Sequence, residues 1–294
     1  MSVEGLPDGA LDIHVHAAPS HFARWGDAWD LAERCRDAGM RGFVLKCHHG
    51  SSVEVAALLA RRFPELSIHG GVVLNAFVGG LNPIAVESYL GLGARVVWLP
   101  TIHGSFHAER CGCLGGFGFQ ESPLRRVPEQ GLSVLDARGA LSPAVRDIVE
   151  MCAERGAVLA TGHASAAEIR ALAAFIGDLR RRPRLLVNHV DFHAPGLTAE
   201  EVRALAGDDV WFELAYIAVS ELVACATFAS TAALIAAVPH ARWVLASDSG
   251  QAANPPAPQA LARYYTGLRA AGVDPRALTR MMTTAPAELL EVAA

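Results

Sequence analysis

The sequence predicts an α/β fold, a (β/α)8 barrel with a long insertion loop after strand four. Three observations carry this. Apolar, strand-like runs recur eight times, most of them followed by a helical stretch. The 294 residues are near the usual barrel size and form one domain over 1–294. Polar residues able to do chemistry stand at the carboxyl ends of strands far apart in sequence, and only closure brings strands one and eight together. A doubly wound open sheet is the competing architecture.

Strand one is 10–16, where Leu11, Ile13 and Val15 alternate with Asp12, His14 and His16 and the run stops before Pro19. A helix over 27–39 closes at Gly39. Strand two is 42–48, a helix follows over 52–62, and strand three is 67–75. A short helix at 83–91 leads to strand four, 94–100. The rhythm then breaks. Residues 101–141 carry many glycines, Cys111, Cys113, Phe106, Phe117 and Phe119, and a loop this long in a compact domain is read as a lid or substrate-binding insertion. A helix at 142–155 opens on Ser142 and Pro143. Strand five (157–163), a helix (165–181), strand six (185–189), a helix capped by Thr198 (199–207) and strand seven (210–214) follow. An Ala-rich helix spans 219–237, strand eight is 243–248, and helices at 256–271 and 275–292 end the chain.

Composition narrows the function classes. Apolar residues are 52% and charged residues 19%, which is globular. A net charge of −5 without a basic run argues against nucleic acid as a partner. No apolar run reaches the roughly 18 residues needed to span a bilayer. The segment 1–8 lacks the basic and apolar regions of a signal peptide, so the expected location is the cytoplasm. Cys35, Cys47, Cys111, Cys113, Cys152 and Cys225 then read as reduced thiols. The Cys111-Gly112-Cys113 pair could chelate or oxidise, and an ordinary loop is the favoured reading. The apolar 219–237 helix leaves a homo-oligomer open.

The strand ends collect His14, His16, Lys46, His163, His189 and Asp248. Residues two apart on a strand share a side, so His14 and His16 project together. Imidazole nitrogens and a carboxylate suit zinc, and also manganese, iron or nickel. Four neutral histidines and one carboxylate can hold one or two divalent ions, with water completing the coordination. His48 shares the inward parity of Lys46, His103 ends strand four, and Glu213 ends strand seven; these three are candidates to bind substrate. Asp191 and His193 are candidates to support the ligands. Cys47 and His49 should face away, and His69 and His240 precede strands on the far face.

The set resembles the amidohydrolase superfamily of metal-dependent hydrolases. The carrying motifs are His14-Val15-His16, Thr161-Gly162-His163, Asn188-His189 and Ser247-Asp248-Ser249. Thr284-Ala285-Pro286-Ala287-Glu288-Leu289-Leu290 resembles the superfamily's Asn-Pro-Ala helix, with Ala in place of Asn. The likeness spans 12–290, and Val134–His163 resembles a poorly characterised branch, so no substrate comes with it. Binuclear members with a bridging lysine usually carry it, carbamylated, at the end of strand four. Here that strand ends Trp98-Leu99-Pro100-Thr101-Ile102-His103, and the available lysine is Lys46 on strand two, where other members place a bridging cysteine. An ammonium beside one or two dications is disfavoured, so Lys46 should be neutral or carbamylated, and a carbamylated bridging Lys46 is the hypothesis taken. The resemblance also implies hydrolysis of a small amide, cyclic amide or lactone by metal-activated water, with Asp248 moving the proton. A non-oxidative decarboxylase with a single metal and a metal-binding barrel without turnover are the alternatives.

Overall fold

The computed structural model describes residues 3–117, 124 and 126–292; Phe119 of the insertion lies outside them. In chain order the elements are β1 (Leu11–Val15), α1 (Ala28–Asp37), β2 (Gly42–Leu45), α2 (Val53–Arg62), β3 (Ser67–Val73), α3 (Pro83–Gly91), β4 (Val96–Trp98) and α4 (Ser105–Cys111). There follow α5 (Pro143–Arg155), β5 (Val158–Ala160), α6 (Ala166–Asp178), β6 (Leu185–Val187), α7 (Ala199–Leu205), β7 (Val210–Ala215) and α8 (Tyr216–Val219). The last are α9 (Phe228–Ala237), β8 (Arg242–Ala246), α10 (Ala257–Ala270), α11 (Pro275–Met282) and α12 (Thr284–Leu290). The eight strands pair in sequence order, all parallel. Closure is made by the His16 N–H on Ser249 O (2.8 Å) and the Asp248 N–H on His14 O (2.9 Å). The expected (β/α)8 barrel is therefore present, and every strand's carboxyl end opens on one face.

Two apolar layers hold it. Leu11, Ile13, Val44, Val96, Trp98, Val158, Leu186 and Val244 fill the barrel interior together with Ala285, Ala287, Leu289 and Leu290 of α12. That helix plugs the amino-terminal mouth, and Glu288 and Glu291 pair there with Arg242 (3.1 Å) and Arg184 (2.6 Å), which lead into β8 and β6. The outer residues of the strands (Val15, Phe43, Leu45, Val97, Leu159 and Leu245) pack in a second layer with the ring of helices. Helix starts follow local chemistry. Asp27, Ser165 and Thr198 each cap a helix reciprocally with an acidic residue three positions on.

Four expectations need correction. The strict alternation in strand one fails, because Asp12 pairs with Phe43 but Val15 with Leu45, so β1 carries one extra residue. The bulge lets Leu11, Ile13 and then His14 all face inward, and Asp12 turns to β8. The 101–141 insertion is not structureless: it contains α4 and bridges joining Gly104 to Leu132 and Leu135 to Leu141. The 219–237 helix is shorter than expected: α8 ends at Val219, 220–227 is a loop, and only α9 from Phe228 fills the rest. Cys225 and Ala226 both donate to Ala218 O, and Thr227 starts α9 with its own cap on Ser230. The 275–292 helix also breaks, at Thr283, because Pro286 lacks the N–H that a continuous helix would send to Met282.

Candidate metal centre

The carboxyl ends of the strands surround a small, tight pocket lined by Arg24, Lys46, His48, Phe117, His163, His189, Phe192, Ile217, Asp248 and Gln251. His14 and His16 reach it through Asp248. His14 Nε2 and His16 Nε2 lie 3.3 and 3.1 Å from the same carboxylate oxygen, Asp248 Oδ1. Asp248 and His189 both take left-handed backbone angles, φ +47° and +53°, directly after β8 and β6. Such angles cost a non-glycine residue roughly 1–2 kcal/mol. Here they sit where each strand turns away and its last side chain stays over the barrel.

The other ring nitrogens are engaged. His14 Nδ1 stands 3.0 and 3.2 Å from the two Glu213 oxygens, and His16 Nδ1 stands 2.9 Å from the Lys46 carbonyl oxygen. Glu213 Oε2 also accepts from Asn188 Nδ2 (2.9 Å), so its oxygens act as acceptors. Each Nδ1 therefore carries the proton and donates, and the neutral rings keep their lone pairs on Nε2. Burial keeps them neutral, pushing His14 down to about 3 and His16 well below the usual range. Two lone pairs thus face one carboxylate oxygen, and the amine of Lys46, 3.0 Å from His14 Nε2, is the donor standing beside them. This donor set fits a divalent metal ion. Around it, His14, His16 and Asp248 form one group of converging donors, and His14, His189 and Glu213 form another beneath it.

Lys46 is buried, with Nζ 3.0 Å from His14 Nε2 and 5.5 Å from the centre of the Trp98 ring. Burial lowers its amine to about 8, against the pull of Asp248 and Glu213. Two motif residues prove to be ties between strand ends. Asn188 Oδ1 accepts from Gly162 N (3.0 Å), and the Asn188 N–H donates to Thr161 Oγ1 (3.0 Å). Gly162, at φ +59°, sits against Leu99 O, where any Cβ would come within 2.3 Å. Asp12 accepts from the Ser247 N–H (3.1 Å) and from Ser247 Oγ, so it pins the strand that presents Asp248.

The remaining sequence candidates divide. His48 lines the pocket, stacks on His16 with ring centres 4.6 Å apart, and meets Thr101 Oγ1 at 3.1 Å. His163 lines the pocket 5.4 Å from the His189 ring but belongs to neither converging donor group. Glu213 is fully buried under His14 and outside the pocket wall, so the structure gives it to the imidazoles rather than to a ligand in the pocket. His103 also stays outside the wall, its Nδ1 accepting from Ala76 N (3.1 Å). Asp191 turns away to Thr231 Oγ1 (2.7 Å), and the His193 carbonyl accepts from Arg110 Nε (3.1 Å). Neither contacts a ligand candidate. Two residues escaped the sequence reading. Arg24 lies in the loop after β1, its Nε on Ser20 Oγ (3.2 Å), and its guanidinium lines the pocket without an ion pair among the described residues. His107 lies on α4, inside the insertion, where no strand period marks it.

These imidazoles predict a pH response. His14, His16, His48, His163 and His189 are all held below the ordinary histidine value of 6.5, first by burial, His189 to about 4. Between pH 6.5 and about 4 the unfolded chain binds protons that the folded chain refuses, so stability falls on acidification. Asp12, raised to about 7, Asp191, raised to about 6, and Glu213, also raised by burial, work in the opposite sense but are fewer. The melting temperature of metal-free protein should drop steadily over that window; a rise would show that the carboxyls dominate.

Among solved structures, the probable dipeptidase PvdM from Pseudomonas aeruginosa is similar at 11% identity and TM-score 0.60, over 96% of this chain and 94% of that one. A 2,6-dihydroxybenzoate decarboxylase is similar at 12% identity and TM-score 0.57, over 99% and 100%. An enamidase described as a member of the amidohydrolase superfamily is similar at 14% identity and TM-score 0.52, over 97% of this chain and 68% of that one. At such identities the shared property is the fold, a parallel eight-stranded (β/α)8 barrel. No curated protein matches the sequence. No helix among the described residues is long and apolar enough to cross a membrane. Residues 9–213 match a family of unknown function, DUF6282, and the chain belongs to that family.

Proposed function

We propose that this protein is a metal-dependent hydrolase of a small amide, cyclic amide or lactone, with a C–N bond as the favoured target. The observation that carries the proposal is the pair of Nε2 lone pairs converging with Asp248 at the edge of a pocket. His14, His16 and Asp248 would hold a divalent ion, zinc first and manganese, iron or nickel next, which would supply Lewis acidity to water and to a carbonyl. Asp248 takes the proton of the attacking water and returns it to the leaving group. His48 offers its free ring edge to the developing oxyanion. Phe117, Phe192 and Ile217 exclude water around the apolar part of the substrate. Arg24 faces an anionic group on it. Replacing Arg24 with Met should raise KM for a carboxylate-bearing substrate by roughly 10–100-fold with kcat little changed, the loss of one charge-assisted hydrogen bond. An unchanged KM would remove Arg24 from recognition.

The buried amine of Lys46, close to neutrality in its acid–base balance, is the position for a carbamate that would add an oxygen ligand. Electron density showing bare Lys46 beside bound metal would refute this. A decarboxylase working with one metal is the second reading: each donor group borders the pocket through one residue, Asp248 or His189, but Glu213 in the second is sealed away from it, which favours a single occupied site. The deciding experiment is metal content per chain by elemental mass spectrometry on protein purified without chelator. About two equivalents support the binuclear hydrolase, and about one supports the decarboxylase. No uptake even after zinc or manganese is added back would overturn the metal centre.

A further inference from the structure

The insertion after β4 reaches the site through Phe117, in the pocket wall, and through a histidine behind His163. His107, on α4, is fully buried. Its Nε2 lies 2.8 Å from Gly116 O, and its Nδ1 lies 2.7 Å from His163 Nδ1. The two rings stack, with centres 4.8 Å apart and planes inclined by 30°. A carbonyl oxygen only accepts, so His107 Nε2 bears a proton. A neutral imidazole has one N–H, so His107 Nδ1 must accept. The Cys111 thiol, one turn on and 3.6 Å from the same Nδ1, is a second donor aimed at that lone pair. Both rings are buried and neither has a carboxylate partner among the described residues, so both are neutral. The 2.7 Å contact then requires the proton of His163 on Nδ1, and the lone pair of His163 is left on Nε2, at the ring edge away from His107.

We infer that His107 is a positioning residue: the Gly116 carbonyl, His107 and His163 form a relay of hydrogen bonds that fixes His163 as its Nδ1–H tautomer and presents Nε2 to a cation in the pocket. The inference rests on the metal-centre reading above. It also gives the insertion a chemical task. Glu213 and the Lys46 carbonyl set the tautomers of His14 and His16 from within the barrel, whereas His163 takes its setting from α4. Loss of such an outer partner typically costs about 10–100-fold in metal affinity.

The test uses His107→Leu, which deletes the acceptor, and His107→Asn, whose Oδ1 stands near the position of Nδ1 and can accept in its place. Nitrogen-15 NMR of the metal-free proteins reads which His163 nitrogen carries the proton, and competition with a chromophoric chelator reads the zinc Kd. The expected result is Nδ1–H in the wild type and in His107→Asn, and Nε2–H or a mixture in His107→Leu. Zinc affinity should weaken about 10–100-fold in His107→Leu and recover most of that in His107→Asn. A wild-type His163 carrying its proton on Nε2 overturns the inference directly, even if His107→Leu fails to fold. An unchanged tautomer and Kd in a folded His107→Leu overturn it as well. If the wild type takes up no zinc, the metal-centre reading fails, and the NMR spectra still decide whether His107 sets the His163 tautomer.

Discussion

Asp248→Asn should lower turnover by about 10²–10⁴-fold while leaving the fold in place. The substitution removes the proton acceptor and keeps the shape. It also suits the backbone, because Asn tolerates the left-handed angle of φ +47° as readily as Asp, whereas Ala would add strain. The two imidazoles that now face a carboxylate oxygen at 3.3 and 3.1 Å would face an amide, so metal affinity should weaken too. Single-turnover rates at saturating zinc separate the two effects, since added metal restores occupancy but not proton transfer. Full turnover by metal-loaded Asp248→Asn would take Asp248 out of the mechanism.

His14→Asn should abolish metal binding, with a loss of at least about a hundredfold in affinity, and leave a folded barrel. The side-chain amide can stand where Nδ1 stands and donate to Glu213, 3.0 Å away, but it has nothing at the position of Nε2. Ligation and support of the buried carboxylate are thereby separated. His14→Leu is the contrast. It strips a hydrogen bond from a fully buried Glu213, leaving Asn188 as its donor on that side, at a cost of roughly 1.5–3 kcal/mol. Calorimetry and zinc titration of the two variants together check the assignment. Wild-type affinity in His14→Asn would mean that the cation, if bound, is held elsewhere.

The ligand candidates were legible because a parallel barrel turns sequence order into geometry. A histidine or aspartate at the end of an apolar run must arrive at the same rim as every other such residue. That logic brought His14, His16, Lys46, His189 and Asp248 together, and put His48 and His163 on the same pocket wall. It failed where the regular period fails. The extra residue in β1 changed which side Asp12 faces, and no sequence feature near Asp12 announces a bulge. The break after Val219 was hidden by alanines on both sides, although Ser220 and Thr227 are ordinary stop and start residues.

The sequence by itself determined the eight-fold alternation of strand and helix, the rim on which chemistry gathers, and the kinds of donor atom available there. Those follow from short-range periodicity, which one chain carries in full. Only the tertiary structure decided which nitrogen of each imidazole is free, because that depends on an acceptor from a distant strand or loop: Glu213 for His14, the Lys46 carbonyl for His16, and His107 for His163. It alone also put Glu213 beneath the rings and Arg24 in the pocket wall, since burial and the approach of loops are set by how the whole barrel packs.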